Sequence, residues 1–198
     1  MTTVSQAILS ATAEMPEGAL ITAKAFLCLG QRAAVDQALS RLARRGQLLR
    51  AGRGLYVRPV TSRFGTRAPS VERVVEAVAE SRSETVALQG AAAANHLGLT
   101  TQVPMRSVYL TSGPSRTLKV GKQVVELRHA ARWKLALAGR PAGEAVRALA
   151  WAGPEKAKAA LIRIREHLPP TEVEALRGVA AMLPAWLAEH VSALKVHA

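Results

Sequence analysis

Residues 26–59 have the sequence FLCLGQRAAVDQALSRLARRGQLLRAGRGLYVRP, which contains a helical pattern followed by a hairpin pattern. Apolar side chains recur at helical spacing before Gly46, and a glycine in that place ends a helix as its C′ residue. A Gly-Arg-Gly turn at 52–54 then lies between two strand-like flanks, which is typical of a tight two-stranded hairpin. The stretch therefore predicts a helix over residues 31–45 and a hairpin over 47–57.

Two shorter helices are predicted before this pair. Residues 4–11 carry apolar side chains at helical spacing behind an N-cap at Thr2 or Thr3, and Pro16-Glu17-Gly18 ends that helix. A short helix follows over 23–28. Three helices and a hairpin in this order make up a winged helix-turn-helix, which is the fold predicted for the N-terminal third.

Positive charge is concentrated in the same region. The chain has a formal net charge of +13, and no acidic residue occurs between Asp36 and Glu72. The arginines of that interval are Arg41, Arg44, Arg45, Arg50, Arg53, Arg58, Arg63 and Arg67. So many like charges on a helix and a hairpin favour a polyanionic partner, and double-stranded DNA is the predicted one.

The polar face of the third helix and the hairpin tip supply the candidate DNA contacts. Amide, hydroxyl and guanidinium groups on a recognition helix suit base edges, and a basic hairpin tip suits the phosphate backbone or the minor groove. Leu49, Leu55 and Val57 are expected to face the helices, so that Arg50 and Arg53 project at the tip. The predicted DNA-binding residues are Lys24, Gln31, Arg32, Gln37, Arg41, Arg44, Arg45, Arg50 and Arg53, with Lys24 on the DNA backbone.

The remainder of the chain alternates short strands and helices. Ser70 is predicted as the N-cap of an amphipathic helix that runs to about residue 81. Strands are predicted over 85–89, 107–111, 116–120 and 123–127, with a small helix over 90–97 and helices beyond about residue 132. The sequence thus predicts an α+β protein. It comprises a winged helix-turn-helix (1–60), a basic linker (61–69) and a small mixed β-sheet unit with a C-terminal helical cap (70–198), in which Trp133, Trp151 and Trp186 anchor the packing.

Composition argues against an enzyme. Asp36 is the one aspartate, whereas metal-dependent nucleases and nucleotidyltransferases usually hold divalent cations with two or more carboxylates. Cys28 is the one cysteine, which excludes an intramolecular disulfide, and its apolar neighbours predict a buried helical position. The histidines lack metal-ligand spacing. We therefore predict no catalytic residues, no cofactor and no metal site. The absence of a signal pattern or a long apolar run predicts a cytoplasmic protein without membrane contact.

Two groups of motifs carry a resemblance to a known family. The first group is the Gly30-x-Arg32 helix start, the Leu39-x-x-Leu42 pair, Gly46, and the Arg-x-Gly-x-Gly-Leu-Tyr run from Arg50. The second is QGAAAANHLGLTTQVP over 89–104, followed by the strand end at 109–114. Both resemble AbiEi-type antitoxins of type IV toxin–antitoxin systems, and together they cover roughly the first 130 residues.

The resemblance implies a DNA-binding antitoxin that represses its own operon and counters a nucleotidyltransferase-like toxin in phage defence. Its DNA partner would be its own promoter, with inverted half-sites if two copies bind. A protein-binding antitoxin is an alternative, in which the C-terminal helices cap the toxin directly. The other alternative is a nucleic-acid-processing enzyme with a winged-helix targeting domain, for which Glu126, His129 and Lys134 are the candidate catalytic residues.

Overall fold

The structure is a computed structural model that describes residues 3–194, and its mixed α+β composition agrees with the predicted class. The chain divides into two compact units. The first contains the residues up to Glu84 together with Thr117–Val125. The second contains Thr85–Arg116 and the residues from Glu126 onward.

The first unit begins with the helix α1, Val4–Ala13. Thr3 is its N-cap, as predicted, whereas Thr2 lies outside the described residues. The hydroxyl of Thr3 accepts the backbone N–H of Gln6 at 3.3 Å, and Oε1 of Gln6 accepts the backbone N–H of Thr3 at 2.9 Å. This reciprocal capping box satisfies two donors at the start of the helix that would otherwise have no partner.

The short helix after α1 is a 3₁₀ helix, Ala23–Leu29. Ala23 and Phe26 are buried, and Leu29 packs against the same core. The backbone is kinked at Phe26, whose φ of −122° and ψ of 17° are not helical, and Cys28 after the kink does not join the buried side chains. The prediction that Cys28 is buried was therefore wrong, because its side chain is exposed.

The third helix is α2, Arg32–Arg44. Gly46 adopts a φ of +72°, and the N–H of Gln47 donates to the carbonyl of Leu42 at 3.0 Å. The N–H of Gly46 donates to the carbonyl of Ala43 at 3.1 Å. These two bonds form a Schellman motif, which confirms the predicted role of the glycine and directs Leu48 into the core.

The hairpin consists of β1, Leu49–Gly52, and β2, Leu55–Val57, paired antiparallel with an irregular register between Arg50 and Gly52. An isolated bridge joins Tyr56 of β2 to Ile21, with N–H to carbonyl distances of 2.8 and 3.0 Å. Tyr56 and Leu48 belong to the buried cluster formed with the helices.

The predicted inward face of the hairpin was wrong. Side chains alternate along β2, so Leu55 and Val57 lie on the face opposite to Tyr56. Leu49 and Leu55 are only half-buried, and Val57 is buried outside the helical cluster.

A second hairpin follows within the segment predicted as a linker. It consists of β3, Val60–Ser62, and β4, Gly65–Arg67, paired antiparallel. The helix α3, Val71–Ser81, comes next, and the hydroxyl of its N-cap Ser70 accepts the N–H of Arg73 at 3.3 Å, as predicted. No helix within residues 3–194 is long and apolar enough to span a membrane.

The remaining strands and helices agree closely with the predicted ones. The strands are β5, Val86–Leu88; β6, Ser107–Thr111; β7, Arg116–Val120; and β8, Gln123–His129, in a sheet of order β5-β6-β8-β7. The helices are α4, Gly90–His96; α5, Pro141–Ala152; α6, Pro154–His167; α7, Pro170–Gly178; and α8, Ala185–Ser192. Short 3₁₀ helices cover Arg132–Leu135 and Ala180–Met182.

The second unit has an all-helical core around α5, which is buried on several sides. Leu161, Ile164, Leu187 and Val191 of the C-terminal helices are buried in this core. Trp133 and Trp186 pack against it, as predicted. Trp151 does not fit the prediction, because 46% of its surface remains exposed.

Candidate nucleic-acid interface

The helix α2 separates an apolar face from a polar one. Val35, Ala38, Leu39 and Leu42 are at most 1% exposed. On the opposite side, Ala33, Gln37, Arg41 and Arg44 are exposed, and Ser40 is half-buried. Since residues four and seven apart share a helix face, the structure brings Gln37, Arg41 and Arg44 into one row. This row is available to a partner of the first unit.

Arg32 and Asp36 form an ion pair on the flank of this row. Nε of Arg32 lies 2.9 Å from Oδ2 of Asp36, and both side chains are largely exposed. An exposed pair at this spacing contributes only about 0.2–0.5 kcal/mol to helix stability. Asp36 partly neutralises Arg32, so Arg32 contributes less positive potential than the unpaired arginines of the same helix.

The tip of the first hairpin presents two further guanidinium groups. Arg50 pairs with Tyr56 in the strand register, and its Nε donates to the carbonyl of Gly52 at 3.4 Å. Arg53 and Gly54 form the connection, in which Gly54 has a φ of +69°. A side chain at Gly54 would be strained in this turn. Arg50 and Arg53 are both exposed.

Two arginines of the basic run belong to the fold instead. The guanidinium of Arg58 donates through Nη1 to the carbonyls of Thr12 and Ala13, at the C-terminal end of α1. That end of a helix carries carbonyls without intrahelical partners and a partial negative charge. Arg67 forms an ion pair with Glu17, at 2.9 Å from Nη1 to Oε1.

Among the eight arginines, the five on α2, its C-terminal end and the first hairpin are exposed, have no acidic partner among the described residues and do not cap another helix. We call them the solvated arginines; they are Arg41, Arg44, Arg45, Arg50 and Arg53. All of them are among the candidate DNA contacts, and Lys24 and Gln31 are exposed as well. Guanidinium groups that no carboxylate neutralises are free to bind an anion.

The second hairpin adds a feature that the sequence analysis missed. Phe64 is 85% exposed at the tip of this hairpin, and the guanidinium of Arg63 lies 4.7 Å from the centroid of its ring. This separation is within the range of a cation–π contact. Val60 and Thr61 before the tip and Thr66 after it favour strands on both sides of the turn, a signal that the basic character of the segment obscured.

The candidate catalytic residues of the second unit do not form one site. Glu126 and His129 are an odd number of positions apart on β8 and therefore point to opposite faces. Hydrogen bonds from Arg128, at 2.6 and 3.0 Å, hold the pKa of Glu126 below its usual value. His129 and Lys134 line one cavity, and Glu126 is not among its lining residues. Within residues 3–194, no group of three or more His, Cys, Asp or Glu side chains could hold a metal ion.

The fold and this surface define a mixed α+β protein with an exposed, strongly basic helix and hairpin. The chain belongs to the family of unknown function DUF6088, whose model matches residues 7–175. No curated protein and no solved structure matches it.

Proposed function

We propose that the first unit is a winged helix-turn-helix that binds double-stranded DNA, with α2 as the recognition helix and the first hairpin as the wing. The observation that carries this proposal is the set of solvated arginines, which lie on those two elements and lack an acidic partner among the described residues. A self-repelling set of cations at an exposed surface favours an anionic partner, and phosphate groups are the natural one.

The two elements supply different kinds of contact. Gln37, Arg41 and Arg44 form the exposed row of α2 and would lie in the major groove, where amide and guanidinium groups distinguish base edges. Arg50 and Arg53 at the hairpin tip would contact phosphates or the minor groove.

The wider role that we propose is an antitoxin that represses its own operon and counters a nucleotidyltransferase-like toxin. This part rests on the resemblance of residues 26–59 and 89–104 to AbiEi-type antitoxins. A repressor of this kind would bind the promoter of its own gene, and two copies would bind inverted half-sites.

A titration by fluorescence anisotropy tests the proposal. The full chain is titrated against the duplex immediately upstream of its own gene and against a scrambled duplex of the same composition, each at two salt concentrations. We expect a preference of about a hundredfold or more for the upstream duplex, which is within the usual range for site-specific proteins. Binding to both duplexes should weaken steeply as salt rises.

Each result has a distinct meaning. Equal affinity for both duplexes would contradict the repressor and leave a basic module without sequence preference. Failure to bind either duplex at low salt would contradict DNA binding altogether.

A further inference from the structure

A cavity of about 350 Å³ in the second unit has a basic lining. Arg128, His129, Lys134 and Arg147 line it, together with the amide side chain of Gln89 and the ring of Trp151. None of the described residues around this cavity is acidic. Its volume lies near the lower end of the range of roughly 300–1,000 Å³ that is typical of small-molecule sites.

Arg147 is the unusual member of this lining. It lies in α5, only 2% exposed, and its Nε and Nη1 atoms are buried without a hydrogen-bond partner. Burial lowers the pKa of Arg147 to about 10, an effect that the charge of Glu144 partly offsets, so the guanidinium stays protonated at neutral pH. A buried cation without a bonded anion costs several kcal/mol. The side chain therefore lacks the partner that its burial requires.

No carboxylate in the described part of the chain supplies that partner. Glu144 is the acidic residue whose charge acts on Arg147, but its Oε2 atom contacts Nδ1 of His96 at 3.2 Å. Glu126 is held by Arg128, at 2.6 Å between Oε2 and Nη2. The anion that Arg147 lacks would have to come from outside this unit.

The chain is built to hold Arg147 and Trp151 together at the cavity. The two residues are four positions apart on α5 and share one face of the helix. A Cβ atom at Gly90 would lie 2.5 Å from the carbonyl oxygen of Arg147 and 2.8 Å from Cβ of Trp151. Only glycine permits α4 to begin so close to this turn of α5.

Two other nitrogen-bearing side chains in the lining are held in defined positions. Nδ1 of His129 lies 3.0 Å from the carbonyl oxygen of Gly113, and a carbonyl can only accept, so Nδ1 carries the hydrogen. Nζ of Lys134 lies 5.3 Å from the ring centroid of Trp133. These contacts fix both side chains and involve no carboxylate.

We propose that this cavity binds a phosphate-bearing ligand of the mononucleotide class, with its phosphate on Arg147 and its planar base against Trp151. A guanidinium group binds phosphate through charge-assisted hydrogen bonds, so a phosphate in this cavity would supply the kind of anion that Arg147 lacks. Trp151 leaves 46% of its surface exposed, and a base stacked on an aromatic ring contributes about 1–3 kcal/mol. None of the residues that line this cavity is among the proposed DNA contacts.

The proposal is tested on the full chain with three probes at matched ionic strength: inorganic phosphate, AMP and adenosine. Thermal unfolding and titration calorimetry measure binding. We expect AMP to raise the unfolding temperature and to bind more tightly than phosphate, and adenosine to bind least. Arg147→Met should reduce AMP affinity by about tenfold or more, as expected for the loss of a charge-assisted hydrogen bond. Trp151→Ala should reduce AMP affinity to that of phosphate.

Two comparisons keep the result interpretable. Arg147→Met replaces a buried unpaired charge by an apolar chain of similar length, so this variant should be at least as stable as the parent without ligand. Arg177→Met, at an exposed arginine of α7 outside this cavity, should leave AMP binding unchanged. Neither variant should alter DNA affinity, so this proposal and the proposed DNA-binding function can fail independently.

Several outcomes would overturn the proposal. The proposal is wrong if AMP does not bind at millimolar concentration, or if Arg147→Met binds AMP as tightly as the parent. It is also wrong if adenosine binds as tightly as AMP. Equal affinity for phosphate and AMP would show that the base makes no contact with Trp151, which would contradict the assignment of the ligand to the mononucleotide class. Displacement of bound AMP by duplex DNA in the parent chain, together with a loss of DNA affinity in Arg147→Met, would identify a DNA phosphate, and not a small ligand, as the source of the anion.

Discussion

The carboxylate of Glu17 forms a bidentate ion pair with the guanidinium of Arg67, at 2.9 Å from Oε1 to Nη1 and 3.3 Å from Oε2 to Nη2. Oε1 of Glu17 also accepts the backbone N–H of Ser70 at 2.9 Å. One carboxylate thus joins the turn after α1 to β4 and to the N-cap of α3. Arg67 therefore stabilises the fold, whereas Arg53 has no acidic partner among the described residues.

This difference predicts that substitutions at Arg53 and Arg67 affect different properties, DNA binding in one case and stability in the other. Arg53→Ala should weaken binding to every duplex and lower the slope of log affinity against log salt by about 1, because one phosphate contact is lost. Arg67→Ala should lower the unfolding temperature and leave the salt slope unchanged. Anisotropy titrations over a series of salt concentrations measure the slope. An equal slope change in both variants would contradict the separation of roles.

Gln37 is predicted to affect sequence preference instead of general affinity. Its amide lies in the exposed row of α2, and a bidentate amide–adenine contact contributes about 1–3 kcal/mol of discrimination. Gln37→Ala should therefore reduce the preference for the upstream duplex and leave binding to the scrambled duplex almost unchanged. Gln47→Ala is the matched control, because this exposed amide follows the end of α2. The prediction fails if the two variants lose the same preference.

The helices of the first unit could be predicted because their signals are local. Gly46, the N-cap Ser70 and the apolar face of α2 each act through residues within a turn or two. The contacts that were missed join distant positions. Arg58 reaches back to the carbonyls at the end of α1, and Tyr56 forms a bridge with Ile21. The pattern of a single sequence contains no information on such pairings. The sequence therefore could not separate Arg58 and Arg67, which stabilise the fold, from the solvated arginines.

Gly46 provides a test of the local signals. Its φ of +72° is unfavourable for an L residue by roughly 1–2 kcal/mol, and a Cβ there would meet nothing within 4 Å. Gly46→Ala should therefore destabilise the protein by about that amount through backbone strain alone, measured by urea unfolding. Gly178→Ala is the control, because a Cβ there also meets nothing within 4 Å but the residue is helical, so a change of up to about 1 kcal/mol in the stabilising direction is expected. Destabilisation of similar size at both positions would contradict the conclusion that backbone strain at Gly46 causes the effect.

The basic cavity of the second unit was also beyond local patterns. Arg147 lies on a helix whose sequence gives no sign that a charged side chain is buried, since α5 is enclosed by elements from several parts of the chain. For Trp151 the difference has the opposite direction. A tryptophan among apolar residues predicts burial, whereas the structure leaves this side chain half-exposed. Burial depends on how distant segments pack in the folded core, so the exposure of Arg147 and Trp151 could not be predicted from neighbouring residues alone.

The lowered pKa values of two carboxyl groups, Glu17 and Glu172, predict how the stability of the fold depends on pH. Hydrogen bonds from Arg67, followed by the N–H of Ser70, lower the pKa of Glu17 from 4.5, and hydrogen bonds from Arg140 and the N–H of Ala142 do the same for Glu172. A depressed pKa in the folded state means that the stabilisation is complete above the unfolded value and is lost as pH falls through the folded value.

The free energy of unfolding should therefore decrease as pH falls below about 4.5, where the unfolded chain takes up protons before the folded one. Glu172→Gln removes one of these groups and should make the decrease shallower in urea titrations at a series of pH values. Glu174→Gln is the matched control, because Glu174 is exposed on the same helix without an ion pair in the described part of the chain. An acid-induced loss that is as steep in Glu172→Gln as in Glu174→Gln would show that the contacts from Arg140 and Ala142 do not stabilise the charged carboxylate.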